Sequence, residues 1–181
     1  MKEKKLKAVN SAADIPKALR GTPFAELLQY QNLGKPFKQY DKARLLACMC
    51  MDNRKQLRVP DNFAFILRTG GGNIRYSEFK LSFAIGIGGV RHVAMIAHDN
   101  CGMSNLFSKR EAFIKGLMKN AGWPRKRAED YFVTYAPLFE IGNEADFAVA
   151  EARRMNFKYP KVKVLPLYYK LADNKLYLIG K

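Results

Sequence analysis

Apolar positions in this chain fall into two rhythms. Leu45 to Met51 is almost unbroken in apolar residues, within a run that starts at Ala43. Such a stretch predicts a central parallel strand covered on both faces, because a half-exposed strand would alternate. Phe63 to Leu67 and His92 to Ala97 predict two further short strands of the same buried character. Between them, Tyr76, Phe79, Phe83 and Ile87 recur at helical spacing, which predicts a helix that returns the chain across the sheet with this stripe in the core. Met103 to Phe139 reads as two helices broken near Gly122-Trp123-Pro124. Asn143 caps a third, whose apolar face is Ala145, Ala148, Val149, Ala152 and Met155. Val162 to Tyr169 and Leu176 to Ile179 close the chain as strands joined across Asp173-Asn174. Near the start, Thr22-Pro23 opens a capped helix carrying Phe24, Leu27 and Leu28, and Gly34-Lys35-Pro36 ends it.

Alternation of strand and helix predicts an α/β fold: a mainly parallel central sheet flanked by helices, with a C-terminal strand hairpin. The 181 residues suit one globular domain with a sizeable core. In open sheets of this kind ligands collect beyond the carboxyl ends of the strands. Two short polar segments fall there, one at Cys50 to Arg54 and one at His98 to Gly102, and a glycine loop, Thr69-Gly70-Gly71-Gly72-Asn73, follows the second strand.

Composition adds exclusions. The apolar runs are too short to span a bilayer, and no apolar stretch or cleavage site follows the basic start at Met1 to Lys7. This leads us to expect a cytoplasmic protein without a membrane partner. The chain carries 32 Lys and Arg against 16 Asp and Glu, a formal charge of +16, which invites a nucleic-acid reading. The basic residues are scattered, however. Their densest internal run, Arg125-Lys126-Arg127, opens a helical segment and does not alternate with exposed aromatics. A solvated basic surface is the better reading.

Cys48, Cys50 and Cys101 are an odd number of cysteines, which argues against a disulfide framework and for metal or catalytic use. Two thiolates and one imidazole suit zinc. Three protein ligands also leave the fourth tetrahedral position free for water or substrate, as catalytic sites require. The spacing of His98 and Cys101 lets both turn toward one ion from a single loop, and Cys50 must come from the neighbouring strand. Cys48 and His92, without such partners, read as core and as a residue of no assigned role.

Cys50-Met51-Asp52-Asn53-Arg54 resembles the Cys-x-Asp-Ser-Arg signature of the β-class carbonic anhydrases, and His98-Asp99-Asn100-Cys101-Gly102 resembles that family's His-x-x-Cys-Gly. The likeness runs from about Ala43 to Ile179. It implies a zinc lyase, with Cys50, His98 and Cys101 as metal ligands, that hydrates carbon dioxide reversibly to bicarbonate through zinc-bound hydroxide. By the same likeness Arg54 holds Asp52 so that Asp52 orients that hydroxide. In some members the aspartate instead swings onto zinc as a fourth ligand and closes the site. The resemblance further implies a homodimer or larger assembly. Residues 1–42 would then form a basic segment and a dimer-packing helix, and residues 43–181 the zinc-binding catalytic part of one globular domain.

Three departures stand close to where substrate should enter: Asn53 for the usual serine or alanine, Ala97 for the usual glycine, and Thr69-Gly70-Gly71-Gly72 for the usual Asn-Ala-Gly. They leave the ligands untouched and keep a second substrate class open, carbonyl sulfide or carbon disulfide hydrolysis on the same scaffold. A basic, nucleic-acid-binding protein with purely structural zinc is a third reading. It would need a fourth protein ligand, and no other Cys or His has metal-site spacing.

Overall fold

In a computed structural model, which describes residues 4–180, the elements run in chain order as β1 (Leu6–Lys7), α1 (Pro23–Leu33), β2 (Leu45–Cys50), β3 (Ala64–Thr69), α2 (Glu78–Gly86), β4 (His92–His98), α3 (Arg110–Ala121), α4 (Arg125–Phe139), α5 (Glu144–Lys158), β5 (Lys163–Lys170) and β6 (Lys175–Ile179). Met1 to Glu3 of the basic start, and Lys181, lie outside the described residues. The strands form one sheet in the order β1-β6-β5-β4-β2-β3. Strands β3, β2, β4 and β5 are parallel, and β6 and β1 add on antiparallel. The fold class is the one expected.

Every residue of β2 is buried, which accounts for its unbroken apolar run. Its side chains alternate between two cores. Leu45, Ala47 and Met49 pack with α1 and with Ala94, Ile96 and Leu167 on one face. Leu46 and Cys48 pack with Leu81, Met95, Ala152 and Met155 on the other. Chain order reverses around β2, since β3 lies on one side of it and β4 on the other. This is the kind of switch point at which open α/β sheets leave a crevice at the carboxyl ends of their strands.

The structure corrects several expectations. The stripe of Tyr76, Phe79, Phe83 and Ile87 is not core: all four are exposed, and α2 turns Leu81 and Ala84 to the sheet instead. Nor is β3 buried. It is an edge strand whose Phe65 and Ile66 remain exposed on opposite faces, and Phe65, on the α2 side, adds to the apolar outer side of that helix. Helical spacing was right, but it marks an apolar side without saying what covers it.

Helix α1 lays Phe24, Leu27 and Leu28 against its own sheet. Its cap also differs. Thr22 donates its hydroxyl to the Leu19 carbonyl at 2.6 Å instead of accepting from the helix. Asn143 does cap α5, accepting from the Asp146 N–H at 3.0 Å. Glu151, on the apolar side of α5, is fully buried but matched by the guanidinium groups of Arg75 and Arg154 at 2.7 and 2.9 Å. A buried carboxylate is tolerable on those terms.

Candidate metal centre

Strand β2 ends at Cys50 and its neighbour β4 ends at His98, so parallel pairing alone puts the two residues side by side. A tight turn after β4 then brings Cys101 back. The two sulfurs and a ring nitrogen of His98 all lie within 4.8 Å of one another, and the three residues are buried. The Cys50 and Cys101 sulfurs are 3.9 Å apart.

The imidazole is fixed from behind. Its Nδ1 faces the carbonyl of Asp99 at 2.9 Å; a carbonyl only accepts, so Nδ1 carries the proton and Nε2 presents a lone pair. That Nε2 is buried and has no hydrogen-bond partner. An orphaned acceptor aimed at two thiols fits a cation, since buried polar atoms otherwise find partners. The donor set, two thiols and one imidazole, suits zinc and leaves one tetrahedral position open.

The thiols influence each other strongly. A hydrogen bond from Cys101 holds the Cys50 thiol down to about 3, against the upward push of burial. The same contact, with burial, pushes the Cys101 thiol far above its ordinary value. Cys48, buried with no such partner, is pushed up to about 12 by burial alone, as befits core. His92 stands edge-on to Phe24 at 5.2 Å, with no link to the cluster.

Asp52 and Arg54 meet as expected. The guanidinium reaches both carboxylate oxygens, with contacts of 2.6, 3.0 and 3.1 Å, and the Arg54 N–H adds one at 2.9 Å. These bonds hold the Asp52 carboxyl well below the usual carboxylate range. Arg54 also donates to the Asn100 carbonyl at 2.9 Å, which links the two motif loops.

Supporting contacts come from residues that no motif marks. The Gly71 N–H donates to the Cys50 sulfur at 3.3 Å. Gly71 has φ +63, and a Cβ there would lie 2.9 Å from Ile141 Cγ2, so the glycine loop needs both the conformation and the missing side chain. Arg68 grips the carbonyls of Cys50, Asp52 and Lys55 at 3.2, 3.3 and 3.1 Å. Lys109 holds the turn after Cys101 through the carbonyls of Gly102 and Ser104, both at 2.8 Å. Lys55 is buried with its ammonium unpartnered. Only the glycine run had a signal in the sequence. Beside the cluster, Met51, Gly70, Met103, Phe132, Tyr135 and Phe139 help line a mostly apolar cavity of about 280 Å³.

A mainly parallel sheet that delivers two thiols and an imidazole to adjacent strand ends defines an α/β protein with an open, soft-ligand cluster. The particular fold is that of the β-carbonic anhydrases. The structure superposes on a carbonic anhydrase of Glaciozyma antarctica with a TM-score of 0.59, at 19% identity, covering 91% of this chain and 99% of that one. It superposes on the β-carbonic anhydrase isoform I of Trichomonas vaginalis with a TM-score of 0.62, at 15% identity and 82% and 90% coverage. A carbon disulfide hydrolase in its apo form gives 0.54, at 17% identity and 82% coverage of each chain. The chain matches no family model and no curated protein sequence. Among the described residues, no helix is long and apolar enough to cross a membrane.

Proposed function

We propose that this chain is a zinc-dependent carbonic anhydrase that interconverts carbon dioxide and bicarbonate. The observation that carries the reading is the buried triad of Cys50, His98 and Cys101, with its unpartnered Nε2 and the fixed Asp52 carboxylate beside it. Cys50, His98 and Cys101 would hold the ion. Zinc bound there supplies Lewis acidity, which makes water a nucleophile near neutral pH.

The chain's own residues do the rest. Asp52, kept ionised by Arg54, is an acceptor-only group. It holds only a ligand atom that carries a proton, and it turns that proton away from the incoming carbon. Arg54 pins the carboxylate and both motif loops, so this acceptor does not wander onto the ligand cluster. The N–H of Gly71 takes part of the negative charge on the Cys50 sulfur.

One observation favours a second reading, hydrolysis of carbon disulfide or carbonyl sulfide. The cavity beside the cluster is mostly apolar and larger than a triatomic molecule needs, and such a chamber concentrates the less polar substrate. We also propose that the protein works as a homodimer in the cytoplasm. The apolar face of Phe65, Phe79 and Phe83 would be buried against a second copy, and the three free thiols suit a reducing compartment.

The test is stopped-flow carbon dioxide hydration by protein of known zinc content, beside Cys50→Ala, Asp52→Asn and Cys48→Ala. Hydration lost with Cys50 and zinc together, reduced by Asp52→Asn with zinc retained, and unchanged by Cys48→Ala supports the reading. A zinc-loaded protein that hydrates no carbon dioxide overturns it, and turnover of carbon disulfide or carbonyl sulfide by that protein would establish the second.

A further inference from the structure

Five buried side-chain polar atoms among the described residues lack a hydrogen-bond partner, and four gather around this cluster: His98 Nε2, Thr69 Oγ1, Ser104 Oγ and Lys55 Nζ. Thr69 pairs with Cys50 across the sheet, and the Ser104 N–H donates to the Cys101 carbonyl. Orphaned atoms of this kind ask for a reason. For His98 the reason is a cation. For Lys55 it cannot be, because an ammonium only donates.

Lys55 follows Asp52 by three residues, and its backbone carbonyl is held by the Arg68 fork that also holds the carbonyls of Cys50 and Asp52. Its side chain is 1% exposed, so it does not reach water in the manner of most buried lysine stems. A charge so placed is expensive unless something opposes it. Arg54 already matches Asp52. Two thiolates and a neutral imidazole around a divalent cation sum to zero, as metal binding requires its thiols to be deprotonated. Arg68 and Lys109 also stand close, but both spend their donors on backbone carbonyls; the Lys55 ammonium has no such partner, so its charge stays unopposed until a monovalent anion arrives.

We propose that Lys55 is a positioning residue that favours a monovalent anion, such as bicarbonate, at the open position of the Cys50, His98 and Cys101 triad. The inference rests on the metal-binding reading above. The effect is electrostatic and requires no contact between Lys55 and the anion.

The experiment uses the cobalt-substituted protein, whose visible spectrum reports ligands at the open position without turnover. Azide serves as the anionic probe and imidazole as a neutral one, titrated into wild type, Lys55→Met and Lys55→Arg. Removing the charge should weaken azide binding by roughly tenfold or more, as expected of a unit charge acting through an effective dielectric of about 20. Imidazole affinity should stay within about threefold, and Lys55→Arg should retain most of the azide affinity. Equal azide affinity in wild type and Lys55→Met overturns the proposal, as does parallel weakening of azide and imidazole, which would indicate packing and not charge. Metal analysis before any titration separates the two claims: wild-type protein that takes up neither cobalt nor zinc refutes the metal reading itself.

Discussion

Replacing Gly71 with alanine should destabilise the metal-free protein by two separable routes. The first is local: with φ +63 the residue sits in the left-handed region, which costs an L side chain about 1–2 kcal/mol. The second is steric. The new methyl would stand 2.9 Å from Ile141 Cγ2, 3.1 Å from Ile141 Cδ1 and 3.1 Å from Met103 Cβ, and overpacking of this kind costs about 1–3 kcal/mol. Together they predict a loss of about 2–5 kcal/mol, read by urea unfolding followed with far-ultraviolet circular dichroism. Ile141→Ala removes the closest atoms and leaves the backbone strain. In that background Gly71→Ala keeps the backbone strain and the Met103 Cβ contact and should cost only about 1–3 kcal/mol beyond what Ile141→Ala costs alone, a favourable coupling of about 1–2 kcal/mol in the double-mutant cycle. Working without metal keeps ligand mass action out of the comparison. Strict additivity, or a Gly71→Ala loss below about 1 kcal/mol, would refute the steric account.

Two other perturbations test the site and the surface. Arg54→Met should free the Asp52 carboxyl, whose folded-state pKa is depressed. The stability that depression contributes is present above the ordinary carboxylate value of about 3.9 and lost as pH falls through the folded value. The gap between wild type and Arg54→Met in urea unfolding should therefore be full at pH 7 and shrink below about pH 4; a gap independent of pH would mean that the ion pair is not its source. Phe83→Glu, which puts a charge in the exposed apolar face, should convert a dimer to monomer in sedimentation velocity with hydration activity measured in parallel, and an unchanged dimer would place the interface elsewhere.

The buried cluster of Cys50, His98 and Cys101 was legible because its members are local events. A soft donor at the end of a buried strand, and a His-x-x-Cys turn at the end of the next, require only that the strands pair in parallel. The two-residue strand β1 was not legible, since Leu6 and Lys7 have no periodicity and exist as a strand only against Leu178 and Ile179. Lys55 was hidden for a different reason: in a chain with 32 Lys and Arg, nothing local separates one buried ammonium from the solvated majority. Glu151 looks like a break in an apolar helix face, and its partner Arg75 lies 76 residues away. The outward turn of Phe79 and Phe83 reflects a missing outer layer, which no pattern within the helix encodes.

Arg68 stands on β3, a strand with a neighbour on one side only, yet its fork fastens the loop that carries Asp52. Edge strands open more readily than the strands they flank. Peeling of β3 would release three carbonyls together, so the integrity of the cysteine–histidine cluster follows the fraying of a margin and not the melting of the interior. Partial denaturation would then dismantle the cluster while most of the sheet is still intact.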